Sequence, residues 1–145
     1  MTAIPPVIWT YMDGLKKHDV AGIATTVSDD LAFVTQTKTL TKDQFLQMLQ
    51  ALYAGFPDWH YDNDPPELHG EMIAVKWRQG GTHTGTFALP GIAPVPATRK
   101  KVQIPPHYFF YKVRGGRIVE IQPEAVRGGA PAGIFEQIGV KSLPL

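Results

Sequence analysis

The sequence predicts an α+β fold in which helices come first and a curved antiparallel sheet follows. Two observations carry this reading. Apolar residues recur at helical spacing through the first third of the chain, as amphipathic helices require. From Glu71 to Glu124 that spacing disappears. Met72–Arg78, Val102–Val113 and Arg117–Glu124 are rich in β-branched and aromatic residues and are bounded by Gly and Pro, which is the composition of strands.

Pro5-Pro6 opens the first helix, since proline lacks only a donor that the first turn leaves unused. Ile8, Tyr11, Met12 and Leu15 form its apolar face. His18-Asp19 breaks the pattern, Asp19 caps, and Val20, Ile23, Ala24 and Val27 form a second short helical face. Asp29-Asp30 turns into a short strand, Leu31–Thr35. Thr41 with Gln44 reads as a capping box for the strongest helix, which buries Phe45, Leu46, Met48, Leu49 and Leu52 and reaches a left-handed cap at Gly55. Trp59–Asp62 follows as a strand, with Trp59 and Tyr61 on one face and Asp58, His60 and Asp62 on the other. After Pro65-Pro66, Glu67–Gly70 begins a hairpin that returns along the strand from Met72. Phe87 and Leu89 continue a strand to Pro90-Gly91, and Ile92–Lys101 is a loop. Pro105-Pro106 cannot donate to a ladder, so Val102–Val113 must carry a bulge or an edge there. Arg114-Gly115-Gly116 turns the last hairpin, Val126–Gly133 is irregular, and Ile134–Ile138 forms a final turn.

A chain of 145 residues, 43% hydrophobic and 19% charged, is expected to fold as one ordered domain spanning 1–145. Without cysteine it has no disulfide or thiolate chemistry, and a cytoplasmic location is the expectation. Met1–Pro6 has no basic region leading into a long apolar run, and no stretch is long enough to span a membrane. A net charge of +1 gives no field for a polyanion, so neither a nucleic acid nor a membrane is expected as partner. Apolar residues on both faces of Met72–Gln79 and Tyr108–Val113 call for two covers, the helices on one side and a second copy of the chain on the other.

The candidate chemistry lies in a few polar residues. His83, in a glycine-flanked bend, and His107, beside the expected bulge, suit acid-base work near neutrality, with a hydrogen-bonded structural histidine as the alternative. Glu120, Gln122 and Glu124 share one face of a regular strand, either as desolvated proton carriers and ligand contacts or as a solvated edge. Asp58, His60 and Asp62 read as a cation or acid-base cluster, or as an exposed strand face. No histidine pair has ligand spacing, so no metal is expected. Trp9, Tyr11, Tyr53, Trp59, Trp77, Tyr108 and Phe110 suit either core packing or stacking on a polycyclic ligand.

Phe56-Pro57-Asp58 after a long helix, Gly81-Thr82-His83-Thr84-Gly85 after a Val-x-x-Trp strand, Gly116-Arg117-Ile118-Val119-Glu120 and the closing Gln137-Ile138-Gly139 occur together in this order. In these features the chain resembles the SnoaL-like polyketide cyclase family, within the superfamily that shares the cone fold of nuclear transport factor two. The resemblance implies a strongly curved sheet wrapped around the helices, an internal apolar pocket, a homodimer, and aldol cyclisation without metal or organic cofactor. It also implies a catalytic aspartate shortly after the Gly-x-Ile-x-Glu stretch. Counted from Gly116 that position is Pro123, which has no ionisable group; Glu124 is its neighbour, and the family's histidine falls near Tyr108 or Phe109. Two further departures are the longer turn Ala93–Arg99 and the apparent insertion Val126–Gly133.

The resulting expectation is a protein that binds a hydrophobic cyclic or polyketide-like molecule. Its acid-base chemistry, of aldol cyclase or isomerase type, would rest on His83, His107, Glu120 and Glu124. Tyr11, Trp59, Trp77, Tyr108, Phe110 and Gln122 are the expected ligand contacts. The alternatives are a binding or interaction module that has lost the aspartate and, behind it, epoxide hydrolysis by Glu120 and Glu124.

Overall fold

The computed structural model describes residues 3–140, so the ends of the expected 1–145 domain lie outside the described residues. The chain runs α1 (Pro6–Lys17), α2 (Val20–Thr26), β1 (Val27–Val34), β2 (Thr39–Leu40), α3 (Lys42–Gly55), β3 (His60–Asn63), β4 (Glu67–His69), β5 (Met72–Thr82), β6 (Lys101–Arg114), β7 (Arg117–Pro123) and α4 (Ala132–Gln137). One curled seven-stranded sheet, ordered β2-β1-β7-β6-β5-β3 with β4 also on β5, carries the helices on its concave face. None of the described helices is long and apolar enough to cross a membrane.

The helical entry forms as the residues dictate. Proline occupies the first turn of α1, the Asp19 side chain accepts from Gly22 N–H to start α2, and the Thr41–Gln44 capping box is closed on both sides. Val27 belongs to β1 and not to the second helix, so that strand is longer than expected. Gly55 does not adopt a left-handed cap: it is the last residue of α3, and Phe56 follows at φ −131°. Its small size answers a packing demand instead. A Cβ there would meet the Cβ of Phe87 at 2.8 Å, while the Gly55 carbonyl accepts from the amides of Thr84 and Gly85.

The antiparallel core β5-β6-β7 is as anticipated, and Gly115 and Gly116 turn the β6–β7 hairpin with φ of +60° and +75°. The whole sheet is mixed, because β1 lies parallel to β7. No hairpin links those two strands, so their relative direction follows from where α2 delivers the chain. Pro105-Pro106 forms the anticipated bulge: Trp77 pairs with His107 and Gln79 with Ile104, leaving Arg78 opposite two prolines. The Phe87–Leu89 strand is absent; only a single bridge joins Phe87 to Val95. Phe87 instead inserts between Phe56 and Phe135.

Two apolar clusters result. The larger joins α1, α2 and α3 to the concave sheet face through Ile8, Met12, Phe45, Val75, Tyr111 and Ile121. The second lies where the segment after β5 and α4 meet the end of α3, around Phe56, Phe87, Ile104 and Phe135. The Gln137 amide bonds both the N–H and the C=O of Gln103, so a side chain from α4 stands in for a neighbouring strand where β6 runs past the end of β7.

Candidate functional site

At the seam between the two clusters the sheet and helices line a cavity of about 620 Å³ that is open to solvent at one side. Strand register decides its wall. On the concave face Tyr61 stands opposite Gln79, Trp77 opposite His107, and Phe109 opposite Pro123, and all six line the cavity. Phe33, Phe45, Leu49 and Leu52 supply much of the apolar remainder from β1 and α3, and the segments around Pro90-Gly91-Ile92 and Val126–Pro131 border it as well.

His107 is the sequence-predicted catalytic residue that faces this space with a free ring nitrogen. It is 3% exposed, and its Nδ1 lies 2.8 Å from the Pro105 carbonyl, an acceptor only. Nδ1 therefore carries a proton, so in the neutral ring Nε2 is the atom with the lone pair, and Nε2 has no hydrogen bond among the described residues. The bulge performs the aiming, since the extra residue brings both the Pro105 carbonyl within reach of Nδ1 and the ring onto the concave face.

Four phenols lie on or behind the same cavity wall, Tyr11 and Tyr111 buried and Tyr53 and Tyr61 half-buried. Trp77 Nε1 donates to the Tyr111 hydroxyl at 2.9 Å, the Tyr111 and Tyr11 rings pack edge to face with centroids 5.3 Å apart, and the Tyr53 and Tyr61 hydroxyls are 2.7 Å apart. Burial pushes Tyr53 up to about 12 and holds Tyr11, Tyr61 and Tyr111 well above the ordinary range, with the neighbouring phenols adding to the shift of Tyr11 and Tyr61. All four stay neutral and able to donate at physiological pH. Gln79, 7% exposed, adds an amide whose oxygen accepts from Trp59 Nε1 at 3.2 Å.

The other expected site residues are placed elsewhere. His83 is fully buried away from the cavity, stacked on Phe56, with Nδ1 accepting from the Thr98 amide (3.1 Å) and hydroxyl (2.8 Å). Burial lowers its pKa, with the carbonyls of Val95 and Gly85 opposing. Together with backbone bonds to Arg99 and Lys100, it fastens the Ala93–Arg99 loop. Glu120 and Gln122 pair with Lys112 and Phe110 on the opposite sheet face, because alternation puts Ile121 and Pro123 inward. Glu124 borders the cavity, but its carboxylate accepts from the Tyr108 amide at 3.1 Å. Tyr108 and Phe110 lie outside, on the convex face, and Trp59 stands behind Gln79 rather than on the wall. Tyr11 and Trp77 do line the cavity. Asp58 and Asp62 are taken up by the Thr82 amide and Arg78, which lower their pKa, and His60 is exposed. No group of three metal-binding side chains occurs among the described residues.

Sequence reasoning passed over Gln79, Tyr61, Phe109 and Tyr111 as wall residues. Trp77 and Gln79 are two apart on one strand, and that period was the available signal.

Residues 9–121 match the SnoaL-like domain family. A comparison with curated protein sequences gives no match. Among solved structures, AclR of Streptomyces galilaeus, a proposed hydroxylase, superimposes with a TM-score of 0.73 at 17% identity, covering 95% of this chain and 80% of its own. A proposed SnoaL-like polyketide cyclase from a Jannaschia species gives 0.69 at 15% identity, over 98% and 100%. A protein of ketosteroid isomerase-like fold from Catenulispora acidiphila gives 0.64 at 16%, over 96% of each chain. These likenesses show the fold.

Proposed function

The chain belongs to the SnoaL-like domain family, and from that membership and the chemistry of its cavity we propose that it binds a hydrophobic cyclic or polyketide-like molecule and moves a proton on it. The observation that carries the reading is His107: an imidazole on the wall of a large apolar cavity whose Nδ1 is committed to the Pro105 carbonyl, so that Nε2 is the nitrogen left to act as base. The apolar middle suits fused rings, and the neutral phenols of Tyr11 and Tyr61 suit oxygens at their rim.

In the proposed step Nε2 takes a proton from a carbon next to a carbonyl. The C–H electron pair becomes a C=C bond and the carbonyl π pair passes to oxygen. The enolate then either takes the imidazolium proton at another carbon, giving the rearranged ketone, or forms a C–C bond to a second carbonyl of the ligand, whose π pair moves to its oxygen and takes that proton. No organic cofactor or metal enters this scheme. The test is a thermal-shift screen of cyclic ketones and polyketide fragments, followed by deuterium exchange at the α-carbon of any binder. His107→Gln should slow exchange roughly 10²–10⁴-fold while binding persists. Full exchange in that variant removes the assignment.

Pro123 favours a second reading, binding without chemistry, because the wall position opposite Phe109 holds no ionisable group. A tight ligand recovered without exchange after long incubation would select it. Epoxide hydrolysis has less support, since Glu120 faces away and Glu124 is engaged by the Tyr108 amide. We also propose that the convex face pairs two copies of the chain: Tyr108 and Phe110 stack there at 6.1 Å, and His69 lies against Phe110.

A further inference from the structure

We propose that Gln79 selects ligands carrying a carbonyl oxygen beside His107, and that Trp59, from behind the wall, holds Gln79 in the donating orientation; this rests on the reading of the cavity as a ligand site. An indole N–H can only donate, so the Gln79 atom 3.2 Å from Trp59 Nε1 is the amide oxygen. Trp59 is itself locked, 2% exposed, packed edge-on against Phe56, its carbonyl 2.6 Å from His18 Nε2. The Gln79 amide nitrogen is thereby turned the other way. It has no hydrogen-bond partner among the described residues, while its residue lines the cavity.

An amide NH₂ set in an apolar wall is a donor that only an acceptor from outside the chain can satisfy, and leaving it unpaired penalises ligands that lack one. Its position makes the acceptor specific. Gln79 and Trp77 bracket Arg78, the residue opposite the Pro105-Pro106 bulge, and His107 pairs with Trp77. The amide donor and the bare imidazole nitrogen thus flank one irregularity of the sheet. A ketone with an adjacent C–H presents an acceptor oxygen and the proton to be removed on neighbouring atoms, which matches a donor and a base set side by side.

The experiment uses 9-fluorenone and fluorene, a rigid tricyclic ketone and its CH₂ counterpart, with affinities measured by equilibrium dialysis against the full chain. Wild type should prefer fluorenone by roughly tenfold, one buried hydrogen bond. Gln79→Met should bring the preference to about unity with fluorene affinity kept. Gln79→Glu still offers Trp59 an acceptor but turns a second acceptor toward the ligand, and should reverse the preference. Trp59→Phe keeps an aromatic ring without the N–H. It should reduce the preference several-fold without weakening fluorene, which a purely packing role would not do. If both probes bind and Gln79→Met keeps the ketone preference, the inference is overturned and the cavity remains a ligand site. A wild type that binds neither probe overturns both. The two Gln79 variants decide the matter even where Trp59→Phe does not fold.

Discussion

Replacing Pro123 by aspartate puts a carboxylate at the position where the family resemblance expects one, and its cost can be worked from the structure. The side chain of Pro123 is half-buried on the cavity wall, opposite Phe109. Partial desolvation should raise the pKa of an aspartate at this site by about one to two units above its unfolded value of about 3.9. A raised acid pKa means that the folded state holds the proton longer, so stability falls as pH rises through that interval and the deficit is complete above it. At neutral pH the deficit is about 1.4–2.7 kcal/mol, or roughly 4–10 °C in melting temperature for a chain of this size. Loss of the proline ring adds a further cost of about 0.4–1 kcal/mol through the unfolded chain, independent of pH. The measurement is the difference in melting temperature between wild type and Pro123→Asp from pH 4 to 8, in which groups common to both proteins cancel. A difference that stays flat across that range would mean a fully solvated carboxylate, and the placement of residue 123 on the cavity wall would be wrong.

Two more outcomes follow from groups outside the cavity. His83 has a lowered folded pKa, so the unfolded chain binds its proton first; stability should decline as pH falls below about 6.5, and His83→Gln should flatten that decline between about pH 6.5 and 5, above the carboxylate range. Sedimentation velocity at micromolar concentration should give a dimer mass, with an interface above about 1,000 Å² in total, and a monomer mass would sink the convex-face pairing.

What was legible in the sequence is what local chemistry decides. Thr41 with Gln44, Pro at the start of α1, the Gly115-Gly116 turn and the Pro105-Pro106 bulge each fix their own backbone within a few residues. The parallel partnership of β1 with β7 joins segments some ninety residues apart with no connecting turn to announce it. Gly55 shows a related failure. A glycine after an apolar helix usually marks a left-handed cap, but here the constraint came from Phe87, thirty-two residues on, and not from the backbone angle.

The site was harder to read because alternation tells which side chains share a face and not which face is inside. Glu120 and Gln122 were correctly set on one face, yet only the pairing of Ile121 with Tyr111 and of Pro123 with Phe109 turns that face outward. Conversely, the extra residue at Pro105-Pro106 shifts the phase of β6 and brings His107 in register with Trp77 on the concave side. His83 was singled out because its glycine neighbours allow a bend, but a bend fixes backbone and not destination; the ring turned to Thr98 and Phe56. Gln79 escaped notice for a deeper reason. An amide neither titrates nor appears in catalytic motifs, and its significance here comes entirely from a partner twenty residues earlier, Trp59, whose N–H leaves it one orientation. If a carbonyl reader at this position is real, its determinant is a pair, and Gln79 without an indole behind it should not discriminate.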